Sequence, residues 1–80
     1  MKKLYDQLNR LCGYVSGRAD VLDHYGDFRR DDAGHMIPVG IVVAASPETI
    51  EALTRHAARH YPSMAVTAMT AHQYKMHARI

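Results

Sequence analysis

The apolar residues near the start of the chain are spaced as in an amphipathic helix, and they predict a helix over residues 3–15. They recur at intervals of three or four residues, which places them along one helical face. These residues are Leu4, Leu8, Leu11 and Val15. Gly17 follows at a position where glycine commonly ends a helix.

A second helix is predicted over residues 47–61, and three consecutive residues mark its start. Ser46 is suited to cap the free backbone amides, Pro47 suits the first helical position, and Glu48 complements the positive end of the helix dipole. The apolar positions that follow are again spaced for one helical face: Ile50, Leu53, Ala57 and Tyr61.

Residues 35–45 predict a buried central strand, because they are dense in β-branched residues. The run from Ile41 to Ala45 is apolar without interruption, which is typical of a strand covered on both faces. Pro38 has no backbone N–H, so we expect the strand to be irregular at that point.

The segment at residues 18–34 has two interpretations. Its apolar residues suit either a short helix that ends at Gly26 or an edge strand, and we favour a loop that leads into a strand near residues 24–30. Residues 31–34 (Asp-Asp-Ala-Gly) are typical of a turn, because aspartate hydrogen-bonds to nearby backbone and glycine adopts positive φ. We therefore expect a hairpin between this strand and the next one.

Residues 64–80 alternate with a period of two, and this pattern predicts strand. A straight strand of that length would extend about 53 Å, whereas a folded chain of this size has a diameter of roughly 30 Å. The segment must therefore fold back near residues 70–73, or its end must project onto a partner or a second copy. We favour the bend or hairpin.

Together these elements predict an α+β fold in the order αββαβ, with a further strand if residues 64–80 form a hairpin. We expect residues 1–80 to form a single domain in which two helices pack on one face of a small mixed sheet of three or four strands. The strand–helix–strand unit that begins at residue 36 should place its two strands parallel, through a right-handed crossover.

The composition indicates a small folded domain in a reducing compartment. Apolar residues make up 48% of the chain, too many for a disordered segment, and no apolar stretch reaches the roughly 20 residues that span a membrane. The single cysteine, Cys12, excludes an internal disulfide. A secretory signal pattern is also missing, so we expect a cytoplasmic protein that does not bind membranes.

The net charge of +2 hides two regions of opposite sign. Residues 20–51 hold seven carboxylates and two arginines, whereas residues 52–80 hold four cationic residues and no acid. Five aspartates recur at short intervals in an acidic segment, made of Asp20, Asp23, Asp27, Asp31 and Asp32. We predict that this segment contacts a protein target with a basic surface; the other interpretation is turn chemistry in a polar loop.

A basic face is the alternative binding surface. If the last strand lies near the second helix, four cations would form a surface that contacts the phosphates of a nucleic acid. These cations are Arg55, Arg59, Lys75 and Arg79.

Catalytic and metal-binding motifs are missing from the sequence. His56 and His60 are four residues apart on one predicted helix, as zinc ligands often are, but Ala57 stands where a catalytic glutamate would follow the first histidine. No phosphate-binding glycine pattern or nucleophile elbow occurs. We therefore expect a non-enzymatic protein without a metal or a cofactor.

In its small size, its lack of a catalytic motif and its segregated surface charge, the chain resembles the small anti-CRISPR-type inhibitors of phages and mobile elements. The resemblance covers size and composition, and no motif residue is part of it. It implies an inhibitor that binds a larger target and blocks it by steric and electrostatic occupation. The alternative is a small nucleic-acid-binding accessory protein. We expect a monomer or a homodimer, the latter paired through the edges of the last strand.

Overall fold

The computed structural model describes residues 2–78, which form an α+β fold around a mixed sheet. In chain order the elements are α1 (Lys2–Ser16), β1 (Asp23–Arg30), β2 (Met36–Ala44), α2 (Pro47–His60), β3 (Ala65–Ala68) and α3 (Ala71–Ala78). In this sheet β1 pairs antiparallel with β2, and β2 pairs parallel with β3. The predicted fold class, the central position of the apolar strand and the parallel pairing after α2 are confirmed.

The start of α2 follows the capping signal in the sequence. Ser46 has an extended backbone, and its Oγ accepts a hydrogen bond of 3.3 Å from the Thr49 amide, while Pro47 is the first helical residue. The helix ends where the Tyr61 amide donates to the Ala57 carbonyl at 2.7 Å. Leu53 and Ala57 are fully buried on its inner face, as their spacing predicts.

Residues 18–34 were compatible with a short helix or a strand, and the structure shows the strand β1, which forms a hairpin with β2. Asp31 organises the turn, because its carboxylate accepts a hydrogen bond from the His35 amide at 2.8 Å. Gly34 takes a φ of 85°, a conformation that other residues rarely adopt. The pairing shifts between Asp27 and Phe28, which lie opposite Gly40 and Pro38 respectively. The predicted irregularity near the proline is therefore confirmed.

The central strand is covered on both faces, as its uninterrupted apolar run predicts. Ile41 and Val43 pack with the buried residues of α1 and α2 on one face. Val42 and Ala44 pack with Met69 on the other face, where Tyr74 of α3 joins them. The two predicted helices thus share one face of the sheet, and the short α3 contributes to the cover of the opposite face.

The prediction that residues 64–80 form strand or a hairpin is wrong after residue 68. Within residues 64–78, only Ala65–Ala68 is strand, and α3 follows the turn at 69–70. The chain does fold back where the length argument requires it, but the second arm is helical. Two physical reasons explain this: residues 71–78 contain no β-branched residue, and several of them, such as Ala71 and Lys75, are strong helix formers.

Candidate functional site

Asp20 of the acidic segment binds the N-terminus of α2. Its carboxylate accepts hydrogen bonds of 2.5 Å from Ser46 Oγ and from Thr49 Oγ1. These two hydroxyl donors, Ser46 first, hold the pKa of the Asp20 carboxyl below its ordinary value. The side chain ties the loop after α1 to the start of α2, at the opposite end of β1 from the hairpin turn.

Asp23 and Asp27 lie along β1, on the face of the sheet that α3 helps to cover. Side chains alternate along a strand, and the residue between them, Tyr25, packs with the apolar cluster on that face. Their Cα atoms are about 13 Å apart, given four residues of strand. The Asp23 carboxylate accepts a hydrogen bond of 2.8 Å from the His24 amide.

Asp31 and Asp32 lie at the hairpin turn, at the far end of β1 from Asp20. The Asp31 carboxylate is engaged by the His35 amide and lies 3.7 Å from His35 Nδ1, whereas Asp32 is exposed. The structure therefore spreads the acidic segment along the whole length of β1 and brings only the last two carboxylates together.

A group of exposed apolar side chains borders this turn, and we name Tyr5, Phe28 and Met36 the hairpin patch. Their exposed fractions are 38%, 37% and 45%. The Tyr5 and Phe28 ring centroids are 6.1 Å apart, and the Tyr5 hydroxyl donates to the Met36 carbonyl at 3.2 Å. Met36 pairs with Arg30, the residue before Asp31. Sequence reasoning missed this patch because its members are distant along the chain.

Among the described residues, the structure does not bring the predicted basic face together, because α2 and α3 lie on opposite faces of the sheet. Arg55 and Arg59 are exposed on α2, and Arg55 forms an ion pair with Glu51 one turn earlier. Lys75 lies on α3, which packs against the other face of the sheet. Arg79 lies outside the described residues. The prediction depended on a final strand beside α2, and that segment is the helix α3.

A different group of basic and aromatic side chains meets where α1 and α2 approach each other, and we name it the helix-end cluster. Its members are Tyr14, Arg18, His56, His60 and Tyr61. The Tyr14 and His56 rings are stacked, with centroids 4.4 Å apart and an interplanar angle of 16°. The Arg18 guanidinium carbon lies 4.6 Å from the Tyr14 ring centroid, and Arg18 Nη2 donates to the Tyr14 hydroxyl at 2.8 Å.

The histidines extend this cluster along α2. The His60 ring centroid is 4.7 Å from that of His56, and the Tyr61 ring meets His56 edge-on at 5.9 Å. Two intervals of four residues, between Tyr14 and Arg18 and between the histidines, are the only signs of this cluster in the sequence. The contact between the two helices that joins these pairs is a tertiary feature.

Cys12 is the single thiol of the chain, and it is partly buried. Burial raises the pKa of the Cys12 thiol, which keeps the nucleophilic thiolate scarce at neutral pH. Among the side chains that the structure describes, which do not include His77, no three histidine, cysteine, aspartate or glutamate residues converge as metal ligands. The absence of enzymatic activity and of a cofactor remains a prediction from the sequence.

Comparisons with known proteins do not assign the chain to a family. No family model, no curated protein and no solved structure matches the chain. Among the helices of the described residues, none combines the length and the apolar character that crossing a membrane requires.

Proposed function

We propose that this chain is a non-enzymatic cytoplasmic protein that binds and inhibits a larger target protein, in the manner of the anti-CRISPR-type inhibitors. The hairpin patch is the observation that supports this function best. Tyr5, Phe28 and Met36 expose apolar surface side by side, next to two carboxylates of the acidic segment.

The hairpin patch has the composition of the centre of a protein interface. Tyrosine, phenylalanine and methionine are enriched at such centres, and a few aromatic residues commonly supply most of the binding free energy. A standard interface covers about 800 Å² of each partner, which is more than three partly exposed side chains supply. We therefore expect the contact to extend from the patch over the turn.

The turn supplies the electrostatic part of the contact. Asp32 is exposed at the turn, and Asp31 lies beside it, so both carboxylates fall on the rim of the patch. Carboxylates on a rim accelerate encounter with a basic partner and disfavour acidic ones. Because the exposed Arg29 and Arg30 precede the turn and oppose these carboxylates, reversing the charge of Asp32 tests the acidic contribution directly.

The test compares variants of the hairpin patch and its rim with matched variants elsewhere. Phe28→Ala removes the centre of the patch and Asp32→Lys reverses a rim charge. Leu22→Ala and Glu48→Lys make the same kinds of change at the opposite end of the sheet, where Leu22 is 63% exposed and Glu48 is exposed. Nuclease-treated extract of a host cell is passed over each immobilised full-length protein.

The expected result is one protein retained in stoichiometric amount by the wild type and by both control variants. Phe28→Ala should weaken its retention about tenfold or more, as for a residue at the centre of an interface, and Asp32→Lys should weaken it most at low salt. Circular dichroism verifies that each variant is folded. Equal retention by all variants, or recovery of nucleic acid alone, would contradict the proposal.

A further inference from the structure

The helix-end cluster lies away from the hairpin patch and is not needed for the function proposed above. Tyr5 and Tyr14 are nine residues apart on α1, a separation of about 14 Å along the helix axis. The hairpin patch thus borders the N-terminal part of α1, and the helix-end cluster borders its C-terminal part. A second ligand can therefore occupy the cluster while a protein covers the patch.

We propose that the helix-end cluster, with Arg18 as its principal cation, binds the phosphate backbone of a nucleic acid. The surface differs from the basic face that the sequence predicts, since it joins residues of α1 and α2 and the loop after α1, whereas Lys75 lies on α3. Lys75 is excluded from it because α3 packs on the opposite face of the sheet.

The Arg18 guanidinium is held in place by Tyr14, and no ion pair joins it to a carboxylate among the described residues. It contacts a phenol ring and a phenol hydroxyl, both uncharged, rather than a carboxylate. A guanidinium carries five N–H donors in a planar fork that matches phosphate oxygens, and the Tyr14 hydroxyl engages one of its two terminal amino groups. The remaining donors are available to a phosphate, and contact with Tyr14 reduces the conformational entropy lost on binding.

The two histidines place further N–H donors beside this guanidinium. The His56 ring is fixed between Tyr14 and Tyr61 by stacking and edge contacts, and His60 is exposed next to it. A neutral imidazole donates one hydrogen bond, and a protonated one adds a positive charge. The protonated form, which has two N–H donors and a positive charge, favours an anion at this surface.

The surroundings of the cluster are basic on both helices. Arg10 lies one turn before Tyr14 on α1 and Arg59 one turn after His56 on α2, and both are exposed. Residues 9–18 and residues 52–61 contain no aspartate or glutamate. The nearest carboxylate in the following loop, that of Asp20, is held at the other end of α2 by Ser46 and Thr49.

This arrangement fits a polyanion better than a single phosphate group. Three arginines are distributed over α1 (Arg10), the loop after it (Arg18) and α2 (Arg59), and one small anion contacts at most one or two of them. Duplex DNA presents a negative charge about every 1.7 Å along its axis and can contact all three at once, with release of counterions. The affinity should therefore fall steeply with salt.

The experiment measures binding of the full-length protein to a fluorescein-labelled 20-nucleotide DNA, single-stranded and duplex, by anisotropy between 50 and 200 mM salt. Arg18→Ala tests the cluster, and Lys75→Ala is the matched control, because it removes one positive charge from the opposite face of the sheet. Arg18→Lys keeps the charge and loses the planar fork. Circular dichroism and retention of the protein target monitor the fold of each variant.

We expect Arg18→Ala to weaken binding at least threefold and to reduce the slope of log affinity against log salt by about one, as for the loss of one phosphate contact. Lys75→Ala should leave both quantities within error of the wild type, and Arg18→Lys should keep the slope with weaker binding. Phe28→Ala should bind DNA normally, which separates this proposal from the hairpin interface.

Three results would overturn the assignment. The first is no DNA binding by the wild type at 50 mM salt. The second is an equal loss of DNA affinity in Arg18→Ala and Lys75→Ala, which would indicate attraction by net charge alone. The third is displacement of DNA by inorganic phosphate at the same total phosphate concentration, which would indicate a small-anion site instead.

Discussion

Gly40 of β2 lies opposite Ala65 of β3, and a side chain there has no room. A Cβ built on it would lie 2.2 Å from the Ala65 carbonyl oxygen, which belongs to the backbone of β3. Because that oxygen cannot move without disturbing the parallel pairing, we expect Gly40→Ala to lower the free energy of unfolding by about 1–3 kcal/mol.

Gly13 provides the control for the Gly40 substitution. Gly13 lies inside α1, and a Cβ there meets no atom within 4 Å. Gly13→Ala should therefore raise the free energy of unfolding by about 0.5–1 kcal/mol through helix propensity. Urea denaturation of the two variants measures both effects, and a change of the same sign in both would contradict the close approach at Gly40.

Asp20 makes the stability of the fold depend on pH in the acidic range. Its folded-state pKa is lowered by the Ser46 and Thr49 hydroxyls, so its carboxylate stabilises the folded state above the ordinary value of 3.8. That contribution is lost as the pH falls below 3.8 through the folded pKa. We expect Asp20→Asn to have a lower Tm than the wild type at pH 7, and the difference to shrink in strongly acidic solution.

The exposed Asp32 serves as the control for this pH dependence. Asp32→Asn removes the same charge at the hairpin turn, where its side chain is exposed, and should leave the Tm nearly unchanged at both pH values. Thermal melts followed by circular dichroism give the six Tm values needed, for the wild type and the two variants at pH 7 and in strongly acidic solution. A constant difference between Asp20→Asn and the wild type across this pH range would contradict the role of the carboxylate.

At the scale of elements, α3 is the feature that the alternation of residues 64–80 did not predict. Tyr74 packs with Val42 and Met69, so Tyr74→Ala should lower the free energy of unfolding by about 1–3 kcal/mol. Tyr74→Phe keeps the ring and should stay within about 0.5 kcal/mol of the wild type. Chemical denaturation measures the stabilities, and Cα chemical shifts at residues 71–75 measure the helix. A fully stable Tyr74→Ala variant would contradict the packing.

At the scale of the whole molecule, short elements place two unlike surfaces on one small domain. The Cα atoms span 36 × 30 × 16 Å, and α1 borders both the hairpin patch and the helix-end cluster. An inhibitor of a nucleic-acid-handling target would gain from this layout, because protein contacts at the turn and phosphate contacts at the cluster can act together. The two sets of variants test these surfaces separately.

Local patterns in the sequence were sufficient to predict most of the helices and strands. The cap at Ser46, the glycine turn before β2 and the apolar run from Ile41 onwards each depend on residues that are close along the chain, and the structure confirms all three. These signals are strong because capping, positive φ and burial on both faces each require particular residue types. Together they were enough to predict the fold class and the central strand.

Only the tertiary structure decided which side chains share a surface. Tyr14 and His56 stack because α1 and α2 pack side by side, and Lys75 is separated from Arg59 because the turn at 69–70 sends α3 to the other face of the sheet. Alternation in a segment rich in alanine and histidine does not distinguish strand from helix, because such residues gain little from burial on either face. Packing against Val42 resolves that ambiguity, and a one-dimensional pattern does not contain that contact.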